Sequence, residues 1–391
     1  MPNRASRAIL VLLGFSLLLL GCDSSSESAA GTGGSAGTGG IGGAGGAPRL
    51  VVTADWLNQS LTLFDYDKLV DGQSDASQAI VDTIDLSNWE PGPIELEITP
   101  DGKTAVVSVG PAFFDSLSGL LGDPEIPPGG TLLIVDLETG TADEIQTEDV
   151  PLGIAISPDG RRAYTANYGT ADARGDTLSV IDIPGRQLIE DVPVGSGPEQ
   201  VALSPDGSLG IVNVVSGGGI RIFQTSDVAG TLSEVLETGS DPSGVSFLDG
   251  NDRAVVANSL GFNVTLVDTS NPSSPSVIES APVGDGVVIP YGVTYCAVRN
   301  QILAPTNATG RDLPTQLVTF TVSAESLSAG PPLPLSGGNF PLTAAIDSAC
   351  DFAFVAHIVD RKLSIIDLAS NAVRAIDWLA EPGPSYVAVQ P

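Results

Sequence analysis

The chain has 391 residues, with 47 acidic against 16 basic side chains, a formal net charge of -31 and a single histidine. So acidic a balance excludes nucleic acid as a partner, since binding phosphates depends on Lys and Arg to neutralise them; the acidity can also serve solubility alone. With only 16% charged and 5% aromatic residues, the composition suits stacked sheets buried on both faces by small and β-branched side chains.

In chain order, residues 1–21 carry Arg4 and Arg7 ahead of an apolar run from Ala8 to Leu20. The run is too short to span a bilayer as a helix and has the layout of a signal peptide. Leu19-Leu20-Gly21-Cys22 resembles the lipobox of bacterial lipoproteins, which implies cleavage before Cys22 and lipidation of Cys22. Residues 22–49, rich in Gly, Ser and Thr, have almost nothing to bury and are expected to form a disordered tether. The expected location is the cell envelope, on the periplasmic side or the cell surface, with the lipid as the one membrane contact.

Residues 50–391 read as repeats of one unit, stated most fully between Pro151 and Pro198. A short strand from Gly153 to Ser157 ends in Ser157-Pro158-Asp159-Gly160, a type I turn by its Pro, Asp and Gly positions. Three more short strands follow: Arg162 to Asn167, Thr177 to Ile183 and Leu188 to Val194. The proline before each first strand recurs at Pro93, Pro151, Pro198, Pro242, Pro290, Pro341 and Pro384, with spacings of 58, 47, 44, 48, 51 and 43 residues. Four strands per period in the forties predict an all-β, seven-bladed β-propeller of four-stranded antiparallel blades. Blade 1 is expected to be split: Leu50 to Ala54, Leu61 to Tyr66 and Ala79 to Leu86 supply three strands, and Ser385 to Gln390 supplies the innermost. The C-terminal strand then closes the ring on the N-terminal blade, leaving no open edge. Blade 2 carries an insertion from Pro111 to Gly130, and blades 6 and 7 are read as having lost the turn motif.

Ser157-Pro158-Asp159-Gly160, Ala163-Tyr164-Thr165-Ala166-Asn167, Leu178-Ser179-Val180-Ile181-Asp182 and Val194-Gly195-Ser196-Gly197-Pro198 resemble the YVTN (YncE-like) β-propeller repeat. The resemblance implies a seven-bladed fold and little chemistry, because the functions of that family are varied.

Candidate sites are few. His357 lies sixteen residues after its proline, as Asn167, Asn258 and Thr306 do after theirs, so it reads either as a strand-end polar residue or as part of a binding face. One histidine cannot assemble a multi-histidine metal site, and no metal or cofactor is expected. Asp65-Tyr66-Asp67 with Asp71-Gly72 lacks the alternating ligand spacing of a calcium loop. Asp65, Asp136, Asp182, Asp268 and Asp367 recur at the ends of third strands and read as turn caps. Cys296 and Cys350, on neighbouring blades at one rim, are expected to form a disulfide, the alternative being two buried thiols.

The expected binding face is the end that bears the loops between second and third strands and those leading into each first strand. Trp56, Trp89, Phe113, Phe114, Tyr168, Phe262, Tyr291, Phe340 and His357 map there, and aromatics favour partner contact. The reading is a monomeric, lipid-anchored module that binds a protein or small-molecule ligand. The alternative is a propeller hydrolase of the lactonase type or a quinoprotein-like oxidoreductase, to which Glu199, Arg311, His357 and Arg361 are the scattered polar contributions.

Overall fold

The computed structural model describes residues 48–56, 58–72, 76–110, 129–170, 173–308, 315–335, 341–357, 362–377 and 384–391. Cys22, Phe113, Phe114, Arg311, Phe340 and Arg361, and with them the leader, the tether and most of the blade 2 insertion, lie outside the described residues.

Seven antiparallel sheets follow one another along the chain as the blades of a propeller. Blade 3 consists of Pro151–Ile156, Arg162–Gly169, Arg174–Asp182 and Gln187–Pro193. In blade 1 the C-terminal strand Tyr386–Val389 pairs with Leu50–Asp55, with Val51 opposite Val389 and Ala54 opposite Tyr386. The ring is therefore closed by hydrogen bonds between the two ends of the described chain. In blade 6 the innermost row is broken into Val288–Pro290 and Thr294–Cys296, both paired with Gln301–Ala308, and the outermost row is broken likewise.

Strand periodicity explains the core. Successive side chains of a strand point to opposite faces, and each blade is covered by a neighbour on both faces. Val51 accordingly packs into the seam between blades 7 and 1, while the adjacent Val52 packs into the seam between blades 1 and 2. Seven apolar clusters result, one per seam. Inner and second strands such as Leu50–Asp55 are buried at every position, so they show no polar alternation in sequence.

The turns between first and second strands hold one another around the rim. Ser157 Oγ donates to Asp159 Oδ1 at 2.6 Å and accepts from Arg162 N at 2.9 Å, and Gly160, at φ +69°, closes the turn on Ser157 O. Gly207 sits so close to Pro158 of the preceding blade that a Cβ there would lie 2.6 Å from the Pro ring. The reading that blade 7 has lost this turn is corrected. Asp347 to Cys350 keeps its geometry: Cys350 N donates to Asp347 O at 2.9 Å, and Asp347 Oδ1 accepts from Phe352 N as Ser157 Oγ accepts from Arg162 N. A disulfide joins Cys296 to Cys350, with Cα atoms 6.0 Å apart.

The third-strand aspartates Asp65, Asp136, Asp268 and Asp367 work as caps. Asp136 accepts from Glu138 N and Thr139 N, Asp268 from Ser270 N, and Asp367 from Ala369 N and Ser370 N. Asp65 caps a short helix, Tyr66–Val70, by accepting from Lys68 N, which accounts for the acidic turn there.

Candidate functional site

The first-strand ends of six blades bring polar side chains together at the axis of the ring. Glu95, two residues after Pro93 in blade 2, accepts from Gln200 Nε2 of blade 4 at 2.7 Å and from Ile154 N of blade 3 at 3.3 Å. It also bonds the Tyr386 hydroxyl of blade 1. Tyr386 bonds Thr343 of blade 7 in turn, and Thr343 Oγ1 lies 3.5 Å from Thr294 Oγ1 of blade 6. On the other side Glu199 of blade 4 lies within electrostatic reach of Glu95, of Asp241 at the start of blade 5 and of Tyr291 in blade 6. A polar circuit thus runs around the channel mouth.

Blade 3 contributes an absence of side chain and a cation. A Cβ on Gly153 would fall 2.6 Å from Glu199 O and 2.7 Å from Gln200 Cα, so glycine is what lets Gln200 pass over blade 3 to reach Glu95. Arg174, at the start of the third strand, stacks on the Tyr168 ring with 4.2 Å to the centroid and faces the charges of Glu199 and Asp241.

The electrostatics follow from enclosure. Glu95 is 3% exposed, whereas Glu97, Glu199, Gln200, Asp241, Tyr291 and Tyr386 keep partial access, as residues lining a narrow lumen do. Burial pushes the Glu95 carboxyl up to about 8 despite its bond from Gln200, and the Glu97 carboxyl up to about 7. Glu199 is raised well above the usual carboxylate range by burial and then by Asp241; burial raises Asp241 too. Burial, followed by the nearby carboxylates, raises the Tyr291 and Tyr386 phenols, which remain protonated donors. Among the described residues the site gathers four carboxyl groups, each raised by burial, and one guanidinium. Among the described residues no group of His, Cys, Asp and Glu has a metal-holding arrangement.

Asn213 holds the mouth from behind. Fully buried at the end of a second strand, it accepts from Glu199 N at 2.9 Å and Gln200 N at 2.6 Å, and it donates to Pro242 O at 2.7 Å. One amide therefore ties the two residues that enter blade 4 to the residue after Asp241.

Trp56, Trp89, Tyr168, Phe262, Tyr291 and His357 all fall at the expected end of the blades, but only some face outward. Trp56 is 3% exposed, with Nε1 donating to Gly110 O, and Tyr168 is 6% exposed under Arg174. His357 is fully buried, and its Nε2 meets Ser364 Oγ at 2.8 Å. These three are packing residues, and the expectation that they form a partner surface is corrected. Buried aromatics here seal the blade ends. His357 occupies the seat where Asn167 bonds Ser179 and Asn258 bonds Thr265, bridging second and third strands; burial and Lys362 depress its imidazole to about 4. Trp89 and Phe262 stay partly exposed, Trp89 donating to Glu144 Oε2 at 2.9 Å. Tyr291 alone of the six belongs to the channel mouth.

Glu199 was visible in the sequence as a scattered candidate; Glu95, Glu97, Arg174, Gln200, Asp241 and Tyr386 were not. Aligning the residues one and two places after each ruler proline would have shown Glu95, Glu199, Gln200, Tyr291 and Tyr386 in one layer.

No protein-family model matches the chain, and no curated protein matches it. Solved structures do. A protein of unknown function from Desulfotomaculum acetoxidans is 16% identical, with a TM-score of 0.66, over 88% of this chain and 99% of its own. The periplasmic gluconolactonase PpgL of Pseudomonas aeruginosa is 17% identical, with a TM-score of 0.63, over 86% of this chain and 97% of its own. A candidate 6-phosphogluconolactonase from Bacteroides uniformis is 15% identical, with a TM-score of 0.66, over 88% of this chain and 100% of its own. At these identities the likeness is one of fold: the chain from Arg49 onward is a seven-bladed β-propeller.

Proposed function

We propose that this protein is an extracytoplasmic, lipid-anchored β-propeller that binds a small hydrogen-bond-donating ligand at the mouth of its central channel. The observation that carries the reading is convergence: carboxylates, phenols, an amide and one guanidinium, drawn from different blades, meet at the axis. Unlike groups gathered at one place distinguish a site from a repeated structural device such as the aspartate caps. The lipobox resemblance at Leu19 to Cys22 and the YVTN-like repeats support the anchored, envelope setting. The test is a thermal-shift panel of polyols, sugar lactones, amines and phosphate esters, since a ligand of the folded state raises the melting temperature as RT ln(1 + [L]/Kd). A panel that leaves the melt unmoved at millimolar ligand counts against the reading.

A second reading, hydrolysis of a lactone, is favoured by Glu97. A carboxyl held near neutrality beside Glu95 and the Tyr386 phenol has the affinity for a proton that a general base needs at pH 7. The gluconolactonase among the fold neighbours supports it only as analogy.

A further inference from the structure

Arg174 stands apart from the other partly buried arginines. Arg49, Arg221, Arg253, Arg299 and Arg374 each donate to a backbone carbonyl. The guanidinium of Arg174 stacks on the Tyr168 ring, and its Nη1 is enclosed without any acceptor. Among the described residues no carboxylate lies within ion-pair distance of it; Glu199 and Asp241 act on it only through their electrostatic field. An arginine has five donors. An enclosed donor left unpaired is costly, so this one calls for an acceptor from outside the chain.

The surroundings of Arg174 are held in place. Asn213 ties down the backbone of Glu199, and Asp241 has a left-handed backbone, φ +58°, which a residue other than glycine adopts at a cost. Gly197, at φ +73°, passes the guanidinium bare: a Cβ there would lie 3.3 Å from Nη1 and 3.5 Å from Cδ of Arg174. Arg174 itself keeps partial access to solvent. Burial holds Glu199 and Asp241 towards their uncharged form, against the pull of Arg174. A neutral carboxyl neither cancels the guanidinium nor repels an anion beside it, and its O–H is a further donor.

We propose that the corner formed by Arg174, Glu199 and Asp241 binds an oxyanion of the ligand, the carboxylate of a small organic acid or the phosphate of an ester. The inference rests on the proposed channel-mouth site and names the group which that site grips. Either oxyanion sets two oxygens side by side against the guanidinium fork, the geometry of strong charge-assisted pairs. Tyr168 already fixes one face of the fork, so little side-chain freedom is lost on binding. The oxyanion is one end of the ligand, and its hydrogen-bond-donating groups serve the rest of the mouth.

The experiment is calorimetry on the full-length protein with two pairs of probes that differ in charge: L-lactate against lactamide, and glycerol 3-phosphate against glycerol. At least one anion should bind at least about tenfold more tightly than its neutral partner, as a charge-assisted pair to one guanidinium does. Which pair responds separates carboxylate from phosphate. Arg174→Gln, with folding checked by thermal melt, should abolish the preference, while Arg174→Lys, which keeps the charge but not the fork, should retain part of it. Neutral probes that bind as tightly as the anions, or a preference that survives Arg174→Gln, overturn the inference and leave the channel-mouth site standing. If neither anion binds, the thermal-shift panel separates the two failures: a melt raised by a neutral probe overturns the inference alone, and a panel without response overturns the site with it. If Arg174→Gln does not fold, the paired comparison on the parent and on Arg174→Lys decides.

Discussion

Cys350 occupies in blade 7 the seat that Gly160 holds in blade 3. Each lies nine residues after its ruler proline, each has a left-handed backbone, φ +54° and +69°, and each closes its turn through its own N–H. Cys296 holds, in blade 6, the seat that Thr99 holds in blade 2, and a Cβ on Gly160 would lie 3.9 Å from Thr99 Cβ. The disulfide therefore replaces, between blades 6 and 7, the turn-against-turn packing found between blades 2 and 3.

Two outcomes follow for that seam. Replacing both cysteines by Ser should lower stability by up to about 4 kcal/mol, from the loop entropy of a 54-residue separation. Cys296→Ser with Cys350→Gly should be more stable than Cys296→Ser with Cys350→Ala by about 1 kcal/mol, since only glycine is unstrained at this φ. Conversely, Thr99→Cys with Gly160→Cys should cross-link blades 2 and 3, because 3.9 Å is a bridgeable Cβ separation. Mass analysis of the oxidised variant checks it, and two free thiols after oxidation would refute the equivalence of the seats.

Stability should fall as pH rises above about 6.5. Glu95 and Glu97 hold their protons to about pH 8 and about pH 7 when folded, against 4.5 unfolded, and Asp55, buried, to about 7. The folded state then binds more protons than the unfolded state between pH 4.5 and 8, so stability present at low pH is lost through that window. Melting temperature should drop between pH 6.5 and 8.5 in the parent and drop less in Glu95→Gln and Glu97→Gln. A parent melt that rises over this range contradicts the assignment.

His357 titrates in the opposite sense. Its imidazole is depressed to about 4 against 6.5 unfolded, so the unfolded state binds more protons between those values and stability is lost as pH falls through them. His357→Asn places in blade 7 the residue that blades 3 and 5 already use to bridge to Ser179 and Thr265. It should be within about 1 kcal/mol of the parent at pH 7, and its melting temperature should exceed that of the parent by a growing margin from pH 6 to 4.5. Equal pH dependence of the two proteins would place the sensitivity elsewhere.

The repeat was legible because its punctuation is local. Ser157, Pro158, Asp159 and Gly160 state a turn in four residues, and the same words at Ser204, Pro205, Asp206 and Gly207 state it again. The left-handed backbone at Cys350 was not legible, since nothing in its identity announces a positive φ. The channel mouth was harder to read for a different reason. Glu95 and Gln200 are 105 residues apart and meet only because the ring brings blades 2 and 4 together over the bare Gly153. Aromatic side chains, by contrast, were read too readily as contact residues, when Trp56 and Tyr168 are spent on covering blade ends.

Asn213 should matter more than its neighbours on the strand. Asn213→Leu strips the acceptor from the part-buried Glu199 N and Gln200 N and the donor from the buried Pro242 O, a loss of roughly 2 to 3 kcal/mol. Asn213→Asp keeps the acceptor and should cost less. Urea unfolding separates them; identical midpoints would show that the amide bonds are not what holds this corner.

The central claim is that ligand enters the channel mouth and not the outer aromatic loops, and one calorimetric titration of the parent and variants, with whichever probe of the thermal-shift panel raises the melt most, tests it most directly. The account predicts that Tyr291→Phe and Glu199→Gln each weaken binding at least about tenfold, as the loss of a hydrogen bond to a buried group does, while Phe262→Ser, at the same end but off the axis, leaves it unchanged. Full affinity in both channel variants, with binding lost in Phe262→Ser, would contradict it.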